Sequence, residues 1–282
     1  GLGNIEDKIT KNHRKTLGLL RDISKVKSYG VIDENIDKGI IKIARAIGVI
    51  GAVVPSTNPI ATPANNIINS LKCGNAIIIS PSPKGIAGCE RLIHFIHAEF
   101  EKCGINKDLV QMIPAPGTKI KTQQMLEETD LVIVTGSQNN VRRAYTSGTP
   151  AIGVGAGNVT VIIDETSNLK DAAVKIAASK TFDNATSCSS ENSLIIIDEI
   201  YDAFIKELSL VGCVTLEKSL QKKITERLWK KGQLNRDAVA QDAKKLIVAL
   251  GLESNVPEDT KIIGIETDGI GEGYPLSGEK LS

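Results

Sequence analysis

The sequence predicts an α/β protein: a parallel sheet covered by helices on both faces, then the opening part of a second α/β domain. Three observations carry this. From residue 47 onward, short β-rich runs alternate with helical stretches. The runs are near-continuous Ile, Val and Ala, as strands buried on both faces should be. Turn-forming polar residues gather where each run ends. The chain has 282 residues, 41% apolar and 24% charged, as expected of an ordinary globular protein of about two domains. With 34 basic and 33 acidic side chains the net charge is +1. That excludes a bulk electrostatic pull toward nucleic acid or a membrane surface.

Residues 1–27 read as loop and helix, with apolar side chains at Ile5, Ile9, Leu17, Leu19, Leu20 and Ile23. Segment 38–45 partly alternates and is either a short strand or a helical turn. The strands of the sheet follow at 49–54, 76–80, 110–113 and 131–135, and the helices between them at 62–72, 86–103 and 118–128. Thr62 before Pro63 reads as a helix start, and Gly74 falls just beyond that helix. GVGAG at 153–157 follows a short apolar pair and precedes another strand. It is therefore not the ordinary dinucleotide fingerprint, which opens a helix. Further on, a helix covers 169–178, a strand 193–198, helices 199–208, 219–231 and 239–250, and a strand lies near 261–264. The start of the chain is polar without a signal-peptide core, and its longest apolar run, 46–55, is too short to span a bilayer.

Chemistry is expected in the polar loops. PSTNP (55–59), SPSPKG (80–85) and TGSQNN (135–140) each follow a strand. Open α/β sheets bind ligands outside the carboxyl ends of their strands, and helix N-termini there attract phosphate. A Rossmann-like nucleotide site is one reading of these loops, and plain βα turns are the other. The remaining stretch of interest is TFDNATSCSSEN (181–192), which presents one thiol, Cys188, among small polar residues. Such a thiol can ionise and attack an electrophilic carbon. The five cysteines (73, 89, 103, 188, 213) are odd in number and lack framework spacing, which suggests reduced thiols in a cytoplasmic protein. Cys73, Cys89, Cys103 and Cys213 read as inert. His94 and His97 share a helix face, but their apolar neighbours suggest a structural helix, and no metal is expected.

Seven segments in the same order resemble the aldehyde dehydrogenase superfamily, and most of all its CoA-acylating branch. They are EDKITKNH (6–13), GVIGAVVPSTNP (48–59), SLKCGNAIIISPSPKG (70–85), DLVIVTGS (130–137), SGTPAIGVGAGNVTVIIDET (147–166), KTFDNATSCSSENS (180–193) and GEKLS (278–282). The resemblance implies that fold, here incomplete: a nicotinamide-cofactor domain over 1–180 and a catalytic thiol domain over 181–282 that stops short. It implies an internal fragment, or the ordered part of a longer chain. It implies NAD or NADP as cofactor, CoA as co-substrate, a small aldehyde as partner, and a homo-oligomer at full length. Cys188 takes the place of the nucleophile, and Asn58 that of the amide donor to the oxyanion. Gly136 and Ser137 match the turn at the cofactor pyrophosphate. Pro55, Ser56 and Thr57, Ser80 and Pro81, and Gly153, Val154 and Gly155 complete the cofactor-facing set. Ser80 stands where hydrolytic relatives carry a lysine. Lys84 either meets a ribose hydroxyl or 2′-phosphate or is a solvated surface residue. Glu279 matches the glutamate at the nicotinamide ribose.

Hydrolytic members carry a glutamate where this chain has Gly153. A general base must reach the water it deprotonates, and glycine cannot. An acyl-enzyme without such a base survives for a thiol to attack. The resemblance thus implies oxidation of a short aldehyde, acetaldehyde or sulfoacetaldehyde, to acyl-CoA. In the alternative reading Gly153 serves only close packing and another base, such as Glu191, substitutes. The charged stretch 222–236 reads as a solvated helix face with Leu228 and Trp229 inward, or as a contact for CoA phosphates. An acyl-phosphate reductase and an inactive scaffold piece stay open as other classes.

Overall fold

The computed structural model describes residues 2–154, 157–230, 233–235, 237–271, 273–278 and 280, with the Gln233 side chain left out. The chain divides into two compact units, Ile9–Gly155 and a second made of Gly1–Lys8 with Ala156–Ser282.

The first unit holds α1 (Ile5–Ile23) from Ile9 onward, and then a hairpin of β1 (Gly30–Asn35) and β2 (Ile40–Ala44). The sheet elements follow in order: β3 (Val49–Val54), α2 (Ala61–Lys72), β4 (Ala76–Pro81), α3 (Ile86–Cys103), β5 (Val110–Met112), α4 (Lys119–Glu128), β6 (Leu131–Val134), α5 (Gln138–Tyr145) and β7 (Ala151–Gly153). Five strands pair in the order β5-β4-β3-β6-β7, every pairing parallel. Ile50, Ile77, Ile79 and Val110 form one core cluster with Ile67, Ile93 and Phe100 from α2 and α3. Val53, Val132 and Val134 form the other with Met125, Leu126, Val141 and Ala144 from α4 and α5. The sheet is thus sandwiched as its apolar runs require, and each buried Ile contributes roughly 1.5–3 kcal/mol through removal from water. The chain builds from β3 outward to β5, then returns past β3 to lay down β6 and β7. The winding reverses between β3 and β6, where open α/β sheets form a crevice.

The strand reading of 38–45 holds as β2, but its partner β1 carries Asp33, Glu34 and Asn35 and shows no apolar alternation. The expected start at Thr62 is corrected: α2 begins at Ala61, behind Ile60, with no side-chain cap. Pro63 tolerates this because first-turn N–H groups have no helical partner to lose. Gly74 sits past the helix end at φ +77°, a backbone conformation that suits glycine.

The second unit contains β8 (Val159–Ile163), α6 (Leu169–Thr181), β9 (Glu191–Ile196), α7 (Tyr201–Leu210), β10 (Cys213–Leu216), α8 (Gln221–Leu228), β11 (Trp229–Lys230), β12 (Gln233–Leu234), α9 (Ala243–Leu250) and β13 (Ile262–Ile265). β8 runs parallel to β9 and β10 to β13, while β11 and β12 pair antiparallel. Ala173, Ile176, Phe204 and Leu208 join α6 and α7 over these strands, and Ile224, Leu228, Ile247 and Leu250 join α8 and α9. β8 pairs with β9 and α6 packs on α7, which keeps residues 157–181 in one compact unit with the Cys188 turn. The helix expected over 219–231 stops at Leu228, where Trp229 turns extended into β11 and stays half-buried. No helix among the described residues is long and apolar enough to cross a membrane.

Candidate active site

Parallel pairing sends the loops after β3, β4 and β6 to one edge of the sheet. Residues 55–59 leave β3 half-buried and pack against the start of α3. Pro59 accepts a 3.5 Å hydrogen bond from Cys89, and a Cβ on Gly85 would stand 3.0 Å from the Pro59 ring. Ser82, in the loop after β4, has a buried hydroxyl with no hydrogen-bond partner among the described residues. After β6, exposed Gly136 and Ser137 lead into α5, with Ser137 accepting from the Asn140 N–H as the N-cap. Beside it lies a cleft of about 690 Å³ between α4 and α5, lined by Lys119, Gln123, Glu127, Ser137, Asn139 and Arg143. Arg143 is held there by donating to the Gln123 side-chain amide oxygen at 2.9 and 3.1 Å and to the Lys119 main-chain carbonyl at 2.9 Å.

These features fit a nucleotide. A helix N-terminus with free N–H groups faces outward at the edge where phosphate binds in such sheets. The adjoining cleft can take a flat base, and an unsatisfied hydroxyl lies in the neighbouring loop. Of the expected set, Pro55, Ser56, Thr57, Pro81, Gly136, Ser137 and the exposed Lys84 lie along this edge. Ser80 is 5% exposed and its hydroxyl is engaged with that of Thr122 at 2.9 Å, so it faces into the fold. Val154 is exposed and its N–H bonds the Val134 carbonyl at 2.9 Å. Gly155 and Glu279 lie outside the described residues. Gly153 has a packing role: a Cβ there would meet Val141 at 2.7 Å and the Tyr145 ring at 3.0 Å.

Asn58 is half-buried in the first loop. Its side-chain oxygen accepts a 3.0 Å hydrogen bond from the Lys11 ammonium.

Cys188 belongs to the second unit. It is exposed in a turn between α6 and β9. Lys180, Ser187, Ser190, Asn192, Gly157 and Val159 line a small pocket with it. The chain reaches this turn through Asp183, Asn184 and Ala185, at φ +53°, +49° and +54°. Three successive left-handed non-glycine residues cost roughly 1–2 kcal/mol each, so something must hold them. Asp183, fully buried, does so. Its carboxylate accepts from the Asn4 N–H at 3.0 Å, the Lys8 ammonium at 2.8 Å and the Thr186 hydroxyl, while its own N–H donates to Asp7 at 2.8 Å. Gly3 comes so close to the Asp183 carboxylate that no Cβ would fit. Strain of this kind gathers where a functional side chain must be presented.

Burial pushes the Cys89 and Cys213 thiols up to about 11, as suits inert cysteines. Burial pulls Lys180 down to about 8 against the opposing pull of Glu191. Lys280 is likewise lowered to about 8, first by burial and then by the Lys180 charge. Glu191 and Asn192 each keep a buried oxygen without a partner among the described residues. His97 bonds the Val110 carbonyl at 2.7 Å, and the described residues hold no cluster fit for a metal ion. Sequence reasoning did not find Lys11, Asp183, Lys180 or the α4–α5 cleft. For the cleft alone there was a signal, since an open N-terminus after β6 implies a neighbouring base site.

A five-stranded parallel sheet with loops gathered at one edge, and in the second unit a strained turn that exposes a thiol, define an α/β protein. The chain belongs to the aldehyde dehydrogenase family, whose model matches residues 9–211. It is 52% identical over 282 residues to the acylating sulfoacetaldehyde dehydrogenase of Cupriavidus necator, covering all of this chain and 57% of that protein. Its fold matches the acetylating aldehyde dehydrogenase of Geobacillus thermoglucosidasius with a TM-score of 0.92 at 33% identity, covering all of this chain and 62% of that one. It also matches the Rhodopseudomonas palustris propionaldehyde dehydrogenase, solved with bound CoA and an acylated cysteine, with a TM-score of 0.79 at 27% identity, covering 98% and 62%... The chain therefore spans about three-fifths of the length of these relatives.

Proposed function

We propose that the full-length protein is a CoA-acylating aldehyde dehydrogenase that oxidises a short aldehyde to acyl-CoA with NAD(P)+. The observation that carries this is the exposed Cys188 on its braced turn, in a chain that matches acylating relatives from end to end. The Cys188 thiolate adds to the aldehyde carbon, and the carbonyl electron pair moves onto oxygen. Asn58 donates its amide N–H to that oxyanion. Nicotinamide dinucleotide, when bound, supplies the hydride acceptor. The loops 55–59 and 135–137 and the α4–α5 cleft would hold it, with Ser137 and the first N–H groups of α5 offering donors to phosphate and Arg143 and Gln123 lining the cleft. Loss of hydride leaves a thioester on Cys188. With glycine at 153 the described chain has no base there for water, so the CoA thiolate attacks the thioester carbonyl, the bond to Cys188 breaks, and Cys188 leaves as thiolate while acyl-CoA is released.

Sulfoacetaldehyde is the first substrate to test, on the strength of the Cupriavidus relative. Its sulfonate calls for a nearby cation, and Lys180 lines the Cys188 pocket. Exposed Val31, Ile32, Ile41 and Ile43 on the β1–β2 hairpin support a homo-oligomer, since a two-stranded ribbon rarely leaves so much apolar surface in water. A cytoplasmic location accords with the free thiols. The test is NAD(P)+ reduction by the full-length protein over a panel of short aldehydes, with and without CoA, beside Cys188→Ala. Reduction that needs both CoA and Cys188 supports the proposal. Steady turnover without CoA points to a hydrolytic enzyme with another base, such as Glu191. No turnover by a folded protein that binds cofactor favours a reductase for acyl phosphates or a scaffold.

A further inference from the structure

Lys11 is the one residue of α1 that is buried, at 3% exposure, while Ile5, Ile9, Leu17 and Leu20 of the same helix are exposed. That inverts the usual order for an amphipathic helix. Burying an ammonium is unfavourable unless strong partners receive it. One of its partners is the side-chain oxygen of Asn58, 3.0 Å away. An ammonium has three donors and no acceptor. It can therefore face only the oxygen end of the Asn58 amide, never the NH2 end. The contact chooses between the two otherwise near-equivalent orientations of that amide. With the oxygen bound to Lys11, the NH2 group is turned the other way, and no protein group among the described residues accepts a hydrogen bond from it.

We propose that Lys11 is a positioning residue: it fixes the Asn58 amide so that its N–H donors, and not its oxygen, meet the oxyanion that forms when Cys188 adds to the aldehyde. This rests on the function proposed above. An oxyanion is stabilised by donors set in place beforehand and repelled by a carbonyl oxygen in the same place. A freely flipping amide would present the wrong end part of the time. The positive charge of Lys11 also polarises the amide and makes its N–H groups better donors.

The test is the single-turnover burst of NAD(P)H on mixing the full-length protein with aldehyde and NAD(P)+ without CoA, for Lys11→Met, Lys11→Arg, Asn58→Ala and the Lys11→Met/Asn58→Ala double variant. Loss of one oxyanion donor costs about 100- to 1,000-fold in rate, the scale expected for Asn58→Ala. Lys11→Met is expected to slow the burst about 10- to 100-fold while the NAD(P)+ concentration for half-maximal rate stays within about threefold. Lys11→Arg, which keeps a cationic donor, should recover most of that loss. In the double variant, loss of Lys11 should add less than about threefold to the loss from Asn58→Ala, because the amide it orients is gone. A purely structural lysine would instead slow both backgrounds equally, and such multiplicative losses overturn the proposal, as does an unchanged burst in Lys11→Met. If Lys11→Met does not fold, Lys11→Gln takes its place in the same cycle, since a neutral amide can bond either end of Asn58 and no longer selects one. Failure of the wider functional reading looks different: Cys188→Ala then keeps its burst, whatever Lys11 does.

Discussion

Gly153 decides two questions at once. A Cβ at this position would press on Val141 and Tyr145 at 2.7 and 3.0 Å. Gly153→Ala is therefore expected to destabilise the first unit by about 1–3 kcal/mol, the range for overpacking, read from denaturant unfolding. A change near zero would mean that the neighbours yield and that the glycine matters only as a missing base. Lys180 gives the second prediction at this scale. Its pKa falls from 10.5 to about 8 on folding, mainly through burial. Between these values the unfolded chain binds more protons than the folded one, so stability rises with pH across about 8 to 10.5. Melting temperature against pH should show that rise in the native protein, and a smaller one in Lys180→Met, which is more stable than native below pH 8. The exposure of Cys188 in a turn was legible in the sequence because its neighbours are small and polar. Lys11 was not. It stands among Lys8, Arg14 and Lys15, and nothing in a row of basic residues marks the one that turns inward.

The turn before Cys188 is held by an element-level contact between the chain start and residues 183–186. Asp183→Ala leaves the Lys8 ammonium without this acceptor and should cost roughly 3–5 kcal/mol, as breaking a buried pair does. Ala185→Gly relieves a left-handed residue at φ +54° and should change stability by less than about 1 kcal/mol in either direction. Thermal unfolding of the two variants checks both. If Asp183→Ala melts like the native protein, the turn keeps its shape by other means. The α4–α5 cleft makes a separate prediction. Arg143→Ala removes the group that ties α5 to Gln123 and Lys119, and it is expected to raise the KM for NAD(P)+ several-fold with kcat little changed. An unchanged KM would exclude this cleft from cofactor binding. The sheet elements themselves were readable because a strand covered on both faces has to be apolar throughout. Strands β1 and β10 were not. β1 is exposed, with two apolar residues followed by three polar ones and no alternation, and β10 is four residues, CVTL, with no room for a period to show.

For the whole molecule, sequence pattern located the loops that gather at one sheet edge, since parallel strands must deliver their C-terminal ends together. The pattern of apolar runs carries no mark of which strand pairs with which, so the pairing of β8 with β9 was not readable from it. The assignment of cofactor binding to the first unit and thiol chemistry to the second is the proposal that joins the two. Its most direct test is the mass of the full-length protein after mixing with sulfoacetaldehyde and NAD(P)+ without CoA, followed by addition of CoA. The account predicts one acyl group per chain, carried on Cys188 and absent from Cys188→Ala, with one equivalent of NAD(P)H formed, and then complete discharge by CoA. A protein that shows no adduct yet continues to reduce NAD(P)+ without CoA would contradict it.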